Sequence, residues 1–107
     1  MRQKVYVVAN TGHDYSAAEQ RGELTYLYDG KVNVFASDKL VKELEDKLSG
    51  STPDDFMILS GNQLAAAIAF SIMMRVHGVV NILLYSFKHG IYEIRTIRRT
   101  QYAAGGS

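Results

Sequence analysis

Two short polar loops hold most of the side chains in this chain that could do chemistry. Each follows a short apolar run, and the second leads directly into a long apolar segment typical of a buried helix. Because free N–H groups and the positive dipole end lie at a helix N-terminus, the second loop suits an anion such as phosphate. The predicted ligand-binding residues are Asn10, Thr11, Gly12, His13 and Asp14 in the first loop and Ser60, Gly61 and Asn62 in the second.

Each of these residues also has a purely structural explanation. Ser60 and Asn62 could donate to a phosphate or ribose, with Gly61 letting the backbone approach, but Ser and Asn also cap many helices. His13 beside Asp14 could form an acid–base pair or hydrogen-bond a ligand. Asp14 could instead cap a following helix, and His13 is the one candidate general base if the protein is an enzyme.

The sequence lacks the motifs of the common catalytic and cofactor sites. It contains no GxGxxG, GxxxxGK[ST], HExxH or GxSxG pattern, and it has no cysteine. The three histidines do not have the spacing of metal ligands. We therefore expect no metal, no cofactor and no catalytic residue, and the sequence favours a binding protein over an enzyme.

Composition indicates one globular domain. The chain has 107 residues with a net charge of +1, so no global field recruits nucleic acid or a membrane surface. We expect a domain over residues 1–102 and a flexible tail over 103–107, a linker or an expression remnant. Arg95, Arg98 and Arg99 could touch nucleic acid but are better explained as charges on an edge strand. A cytoplasmic location is expected.

Alternating apolar runs and helical periods predict the elements that position the two loops. Asp29-Gly30 between two β-prone runs, 23–28 and 31–35, predicts a hairpin. The remaining predicted elements are buried strands over 4–9, 56–59 and 79–85, helices over 38–48 and 62–77, and a last antiparallel strand over 91–97.

This order of elements predicts an α/β fold. We expect a small Rossmann-like single domain with a mainly parallel central sheet, antiparallel edge strands and two main helices. Parallel strands send their carboxyl-terminal loops to one edge, where open α/β sheets bind ligands, so both polar loops should meet there. Tyr85 and Ser86 could join them from the end of the third core strand.

The second predicted helix is apolar on nearly all sides. Leu64, Ile68, Ile72 and Val76 form one stripe, although other positions are apolar too. A domain of this size has little material to cover a second apolar face, so we expect a homodimer. The expected contacts are Phe70, Met73 and Met74.

Three segments together resemble a family of short uncharacterised phage and prokaryotic proteins. The segments are VYVVANTGHDYSAAEQRGELTYL, DDFMILSGNQLAAAIAFSIMMRVHGVVNILLY and YEIRTI, with an N-x-GHD-x-S-x-AE-x-x-GEL opening. The resemblance covers the chain up to Ile97 and implies no particular activity. A more distant, fold-level likeness is to Rossmann-like nucleotide-sensing domains that bind cyclic oligoadenylates on a strand-to-helix turn.

Two functional classes follow from these patterns. The first is a small-molecule binding protein for a phosphate-bearing or nucleotide-like ligand, acting as a regulator or sequestering protein in phage–host conflict. The alternative is a protein-interaction subunit without ligand or catalysis, whose loops are structural.

Overall fold

A five-stranded sheet organises the chain in the computed structural model, which describes residues 2–30, 32 and 36–100. Two α-helices and one short 3-10 helix connect the strands. The strands are β1 Lys4–Ala9, β2 Glu23–Tyr28, β3 Phe56–Ile58, β4 Val79–Ser86 and β5 Ile91–Arg98. The helices are the 3-10 helix Ser16–Gln20, α1 Ser37–Lys47 and α2 Gln63–His77.

The strand order is β2-β1-β3-β4-β5, and β5 alone is antiparallel to its neighbour. The mainly parallel sheet, the shared sheet of β1, β3 and β4, and the antiparallel last strand are thus confirmed. β2 pairs in parallel with β1, and the hairpin predicted between β2 and residues 31–35 stays a prediction. An Asp-Gly pair reports a local turn and cannot say which strand comes next to it. The second predicted arm, 31–35, lies outside the described residues apart from Val32.

β1 is continuously apolar because both of its faces are buried. Tyr6 and Val8 pack beneath α1 and α2, whereas Val5 and Val7 pack on the opposite face against the segment that holds the 3-10 helix. Both α-helices therefore cover one face of the sheet, and in the described part of the chain a single 3-10 turn covers the other. Among the described residues no helix is long and apolar enough to cross a membrane.

α1 docks through three leucines, while Val41 beside them is 37% exposed. Leu40, Leu44 and Leu48 are buried against the sheet. At its outer end Lys47 Nζ lies 3.8 Å from the Tyr28 ring centroid and donates to the Leu27 carbonyl at 2.6 Å. The helix is thus tied by packing and by charge to β2, which lies at one end of the described sheet.

The predicted stripe of α2 is partly buried, with Ile72 in the core and Ile68 packed against it. Ala65, Ala69 and Met73 face the sheet, while Val76 of the predicted stripe is 56% exposed. A helix that is apolar all round gives no polar face from which its rotation can be read. The small alanine side chains let the helix approach the sheet closely, and Met73 fills the core beside them.

The predicted dimer contacts on α2 lie inside their own chain. Met73 and Met74 are buried in the core, and Phe70 is half-buried and packs against it. Two of the three side chains are buried and the third is half-buried, so their positions do not support an interface there.

Gly61 gives the first stability prediction. Its φ is +75°, and a Cβ would lie 2.5 Å from the Ala9 Cβ, whereas Gly12, with φ +85°, has nothing within 4 Å. Gly12→Ala should lose about 1 kcal/mol from its backbone conformation alone. Gly61→Ala should lose about 1–3 kcal/mol more, because it also overpacks the β1–β3 contact. Equal losses in chemical denaturation would contradict the steric argument.

Tyr28 predicts a pH dependence of stability. Burial and a 3.0 Å hydrogen bond to Glu43 raise the pKa of Tyr28 from 10.0 to about 12. Because the folded state holds this proton more tightly than the unfolded chain, the stabilisation is full below pH 10 and is lost as pH rises toward 12. Denaturation curves over that range should show a shallower decline for Tyr28→Phe than for the parent. An unchanged slope would mean that Tyr28 does not contribute.

Candidate functional site

Ser60 joins the carboxyl ends of β1 and β3. Its Oγ donates to the Ala9 carbonyl at 2.7 Å, and the Ala9 N–H donates to that Oγ at 3.3 Å. The loop after β1 and the loop after β3 therefore begin side by side. The two predicted loops lie at the same edge of the sheet, as expected for parallel strands.

A cleft of about 310 Å³ lies at this edge, on the face that carries the 3-10 helix. Its walls come from the loop after β1 and from the hairpin formed by β4 and β5. Since β3 lies between β1 and β4 in the sheet, Ser60 sits between these two walls. The lining residues are His13, Asp14, Tyr15, Ser60, Tyr85, Phe87 and Tyr92.

Aromatic rings dominate both walls. On the hairpin side, Tyr85 meets Phe87 edge to face at 5.0 Å between ring centroids and Tyr92 at 5.1 Å. On the loop side, His13 and Tyr15 meet at 6.4 Å with nearly perpendicular rings. These are favourable aromatic geometries that hold the rings in defined orientations.

The rings differ in how much of their surface is exposed. Tyr15 and Tyr92 are buried and belong to the core on this face, whereas Tyr85 is 43% exposed and Phe87 91% exposed. Burial, together with the neighbouring Tyr15, raises the pKa of Tyr92, so its hydroxyl stays protonated at neutral pH. The cleft thus has a fixed aromatic floor and an exposed aromatic rim.

Asp14 supplies a negative charge to the cleft. Hydrogen bonds from the Ser16 side chain and backbone lower the pKa of the Asp14 carboxyl, and the backbone bond is 2.9 Å long. The bond closes a local turn just before the 3-10 helix, whose N-cap position is Tyr15 without a side-chain cap, so the capping role predicted for Asp14 is wrong. The Asp14 carboxyl stays ionised at neutral pH. In the described structure no hydrogen bond joins Asp14 to His13, although both residues line the cleft.

The other predicted residues of the first loop hold the loop in shape. Asn10 Nδ2 donates to Asp29 at 2.9 Å, and Asn10 Oδ1 accepts the Gly12 N–H at 3.0 Å. The Thr11 hydroxyl lies 2.7 Å from the Tyr15 hydroxyl. These three residues do not line the cleft; they position His13, Asp14 and Tyr15, which do.

Gly61 and Asn62 make the turn and cap of α2. Asn62 Oδ1 accepts the Ala65 N–H at 3.0 Å, which is the structural alternative that the sequence left open. Neither residue lines the cleft, and neither does Ser86, whose Oγ accepts the His89 N–H at 3.3 Å. The predicted set therefore divides into a lining group, His13, Asp14 and Ser60, and a supporting group.

Three aromatic lining residues are absent from the predicted ligand set: Phe87, Tyr92 and Tyr15. Tyr85 is predicted as a residue that could join that set. Alternation along a hairpin could have found the pair on β4 and β5. Closing the turn between Ser86 and Ile91 puts Tyr85 opposite Tyr92 on one face, as observed. Phe87 follows from no periodicity because it lies in the turn itself. Among the described residues no group of acidic residues or histidines could hold a metal ion.

These features define a small α/β domain with an aromatic cleft at the carboxyl edge of its parallel strands. The chain belongs to the family described as phage Pam3 gp32-like protein, whose family model matches residues 3–98. This agrees with the resemblance to short phage proteins seen in the sequence. Comparison with curated proteins and with solved structures gave no match.

Asn62 provides a test that separates capping from ligand contact. Asn62→Ala should lower the free energy of unfolding by about 1 kcal/mol because the Ala65 N–H loses its acceptor. Asn62→Asp should retain most of the stability, and Gln63→Ala, at the neighbouring exposed position, should change little. Affinity for a ligand in the cleft should be unaffected in all three. A selective loss of affinity in Asn62→Ala would instead show direct contact.

Proposed function

We propose that this protein binds a small nucleotide-like molecule and holds it by its planar base. The observation that carries the proposal is Phe87, which is 91% exposed at the rim of a cleft with further aromatic walls. An exposed phenylalanine beside a concave surface is apolar area that a ligand can remove from water. The cleft volume, about 310 Å³, is at the lower end of the range for small-molecule sites.

The ring geometry supports a flat ligand. Tyr85 and Phe87 meet nearly perpendicularly, at 85°. Two such rings give a flat molecule one face on which to stack and one edge to meet. Stacking of a base on an aromatic side chain is tolerant of base identity, so the proposal concerns planar heteroaromatic rings as a class.

The polar groups of the lining support a ligand that donates hydrogen bonds. Asp14 is an ionised acceptor, and His13 can donate or accept. Both oxygens of a carboxylate accept, so ring N–H or amino groups fit beside Asp14. Ser60 Oγ is already engaged by Ala9 and is less suited to a ligand.

The charges of the lining residues suit the base of a nucleotide better than its phosphate. Of the seven lining residues, His13 alone can carry a positive charge, and Asp14 repels an anion. We therefore place a phosphate, where the ligand has one, outside the aromatic walls. Sequestration or regulation by simple binding fits a cleft in which the Ser60 hydroxyl is hydrogen-bonded to the Ala9 backbone.

Phe87 and Leu84 allow a matched test of the cleft. A nucleoside and nucleotide panel should contain a compound that raises the melting temperature, because ligand bound only to the native state adds RT ln(1 + [L]/Kd). Phe87→Ala should weaken that compound about five- to a hundredfold through lost stacking. Leu84→Ala, at a 52% exposed side chain on the opposite face, should not. Calorimetric titration measures both.

Asp14→Asn tests the polar recognition in the same assay. The substitution should weaken the binding of compounds with ring amino groups more than the binding of compounds without them. The unsubstituted protein should bind each nucleoside about as tightly as its monophosphate. No melting shift across the panel would contradict the proposal and favour the alternative, a protein-interaction subunit that uses Phe87 as a contact. A nucleotide preference above tenfold would contradict the placement of the phosphate.

A further inference from the structure

We propose that β5 pairs with β5 of a second copy of this chain, making one continuous antiparallel sheet across a two-fold axis at Ile94. In the described sheet β5 has one strand neighbour, β4, and it follows that neighbour without a bulge for eight residues. It contains no proline. A regular edge of this length is a template for another strand unless something blocks it.

The hydrogen-bond register shows which backbone groups of β5 point away from β4. The Arg99 N–H donates to the Gly78 carbonyl at 2.9 Å, one position beyond the paired strands. Since hydrogen-bonded and non-hydrogen-bonded pairs alternate in an antiparallel ladder, the odd-numbered residues of β5 bond to β4. The even-numbered residues, Tyr92, Ile94 and Thr96 among them, therefore direct their N–H and C=O groups outward.

Two side-chain contacts agree with this assignment. Arg21 donates to the Tyr92 carbonyl at 3.4 Å, and Arg95 donates to the Ile94 carbonyl at 3.0 Å. Both carbonyls thus face the outer edge, and they are met there by long side chains. These arginine bonds compete with strand pairing, but each adds little to stability, because water can replace an exposed side chain as the donor to the carbonyl.

Charge selects one register for self-pairing. Glu93 and Arg95 point to the same face and form an ion pair of 3.0 Å along the strand. An axis at Glu93 would oppose two carboxylates, and an axis at Arg95 would oppose two guanidinium groups. An axis at Ile94 opposes Glu93 to the partner's Arg95, twice, in the non-hydrogen-bonded pairs where side chains come closest.

The apolar side chains agree with the same register. With the axis at Ile94, that residue faces its own copy, and Ile91 faces the partner's Ile97. Ile91 is 46% exposed and Ile94 37% exposed, so both lose water contact on pairing. The opposite charges on this edge are therefore self-complementary, whereas a strand that is protected against pairing needs charges that repel.

Charge reversal tests the proposal with built-in complementation. Analytical ultracentrifugation over a concentration series should show a dimer for the parent chain. Glu93→Arg and Arg95→Glu should each raise the dimer Kd about tenfold or more, since each opposes like charges at two symmetric pairs. An equimolar mixture of the two variants should regain dimer, because every cross-strand pair is then opposite in sign. A monomeric parent, or variants that associate no better mixed than alone, would overturn the proposal.

Cysteine cross-linking tests the register independently. The chain has no cysteine, so each variant carries a single thiol. Ile94→Cys should form a disulfide dimer under mild oxidation, because the axis brings the two copies of this position within bridging distance. Thr96→Cys, on the same face and facing the partner's Tyr92, should remain mostly uncross-linked. Equal cross-linking of both, or of neither, would overturn this register, and circular dichroism checks that each variant is folded.

Discussion

Burial of β1 on both faces is the constraint on which the rest of this structure depends. Its apolar side chains alternate between two cores, and each core needs its own cover. α1 and α2 cover one side with helices that pack through leucine, alanine and methionine. On the other side, among residues 2–30, 32 and 36–100, the cover is a single 3-10 turn and the aromatic rings around it. The layer that covers one face of the sheet is therefore thicker than the layer that covers the other. The difference arises because both α-helices pack on the same face.

The cleft is a consequence of that inequality. Tyr15 and Tyr92 complete the thin side by burying their rings, while Tyr85 and Phe87 extend the same aromatic surface beyond the core. A full α-helix in place of the 3-10 turn on this face would fill the space that the cleft occupies. The carboxyl edge of the parallel strands then supplies the remaining polar groups, through the loop after β1 and through Ser60. The unequal cover of β1 thus explains both the packed helical face and the open cleft on the opposite face.

The sequence predicts the parallel core well, because β1, β3 and β4 are apolar runs of strand length that alternate with helix-period segments. It predicts the edge on which the loops meet for the same reason. It does not predict the partner of β2, since strand pairing is non-local and the Asp-Gly turn beside it reports only local geometry. It also does not give the rotation of α2, because Ala65 and Val76 are both apolar and only packing distinguishes them. In the candidate site, His13, Asp14 and Ser60 follow from loop chemistry, whereas Phe87 becomes visible only when the hairpin is folded.

The contact between Lys47 and the Leu27 carbonyl distinguishes the β2 edge of the described sheet from the β5 edge. A charged ammonium group from α1 occupies an outward carbonyl on β2, whereas the outward carbonyls of β5 face flexible arginines. A strand that approaches β2 must displace a cation held in place by the Tyr28 ring. In the described sheet the β2 edge and the β5 edge therefore differ in the charged groups that meet their outward carbonyls. The two-fold pairing proposed for β5 would use the same edge on both copies, so association through that edge alone would close at the dimer and would not propagate into a fibre.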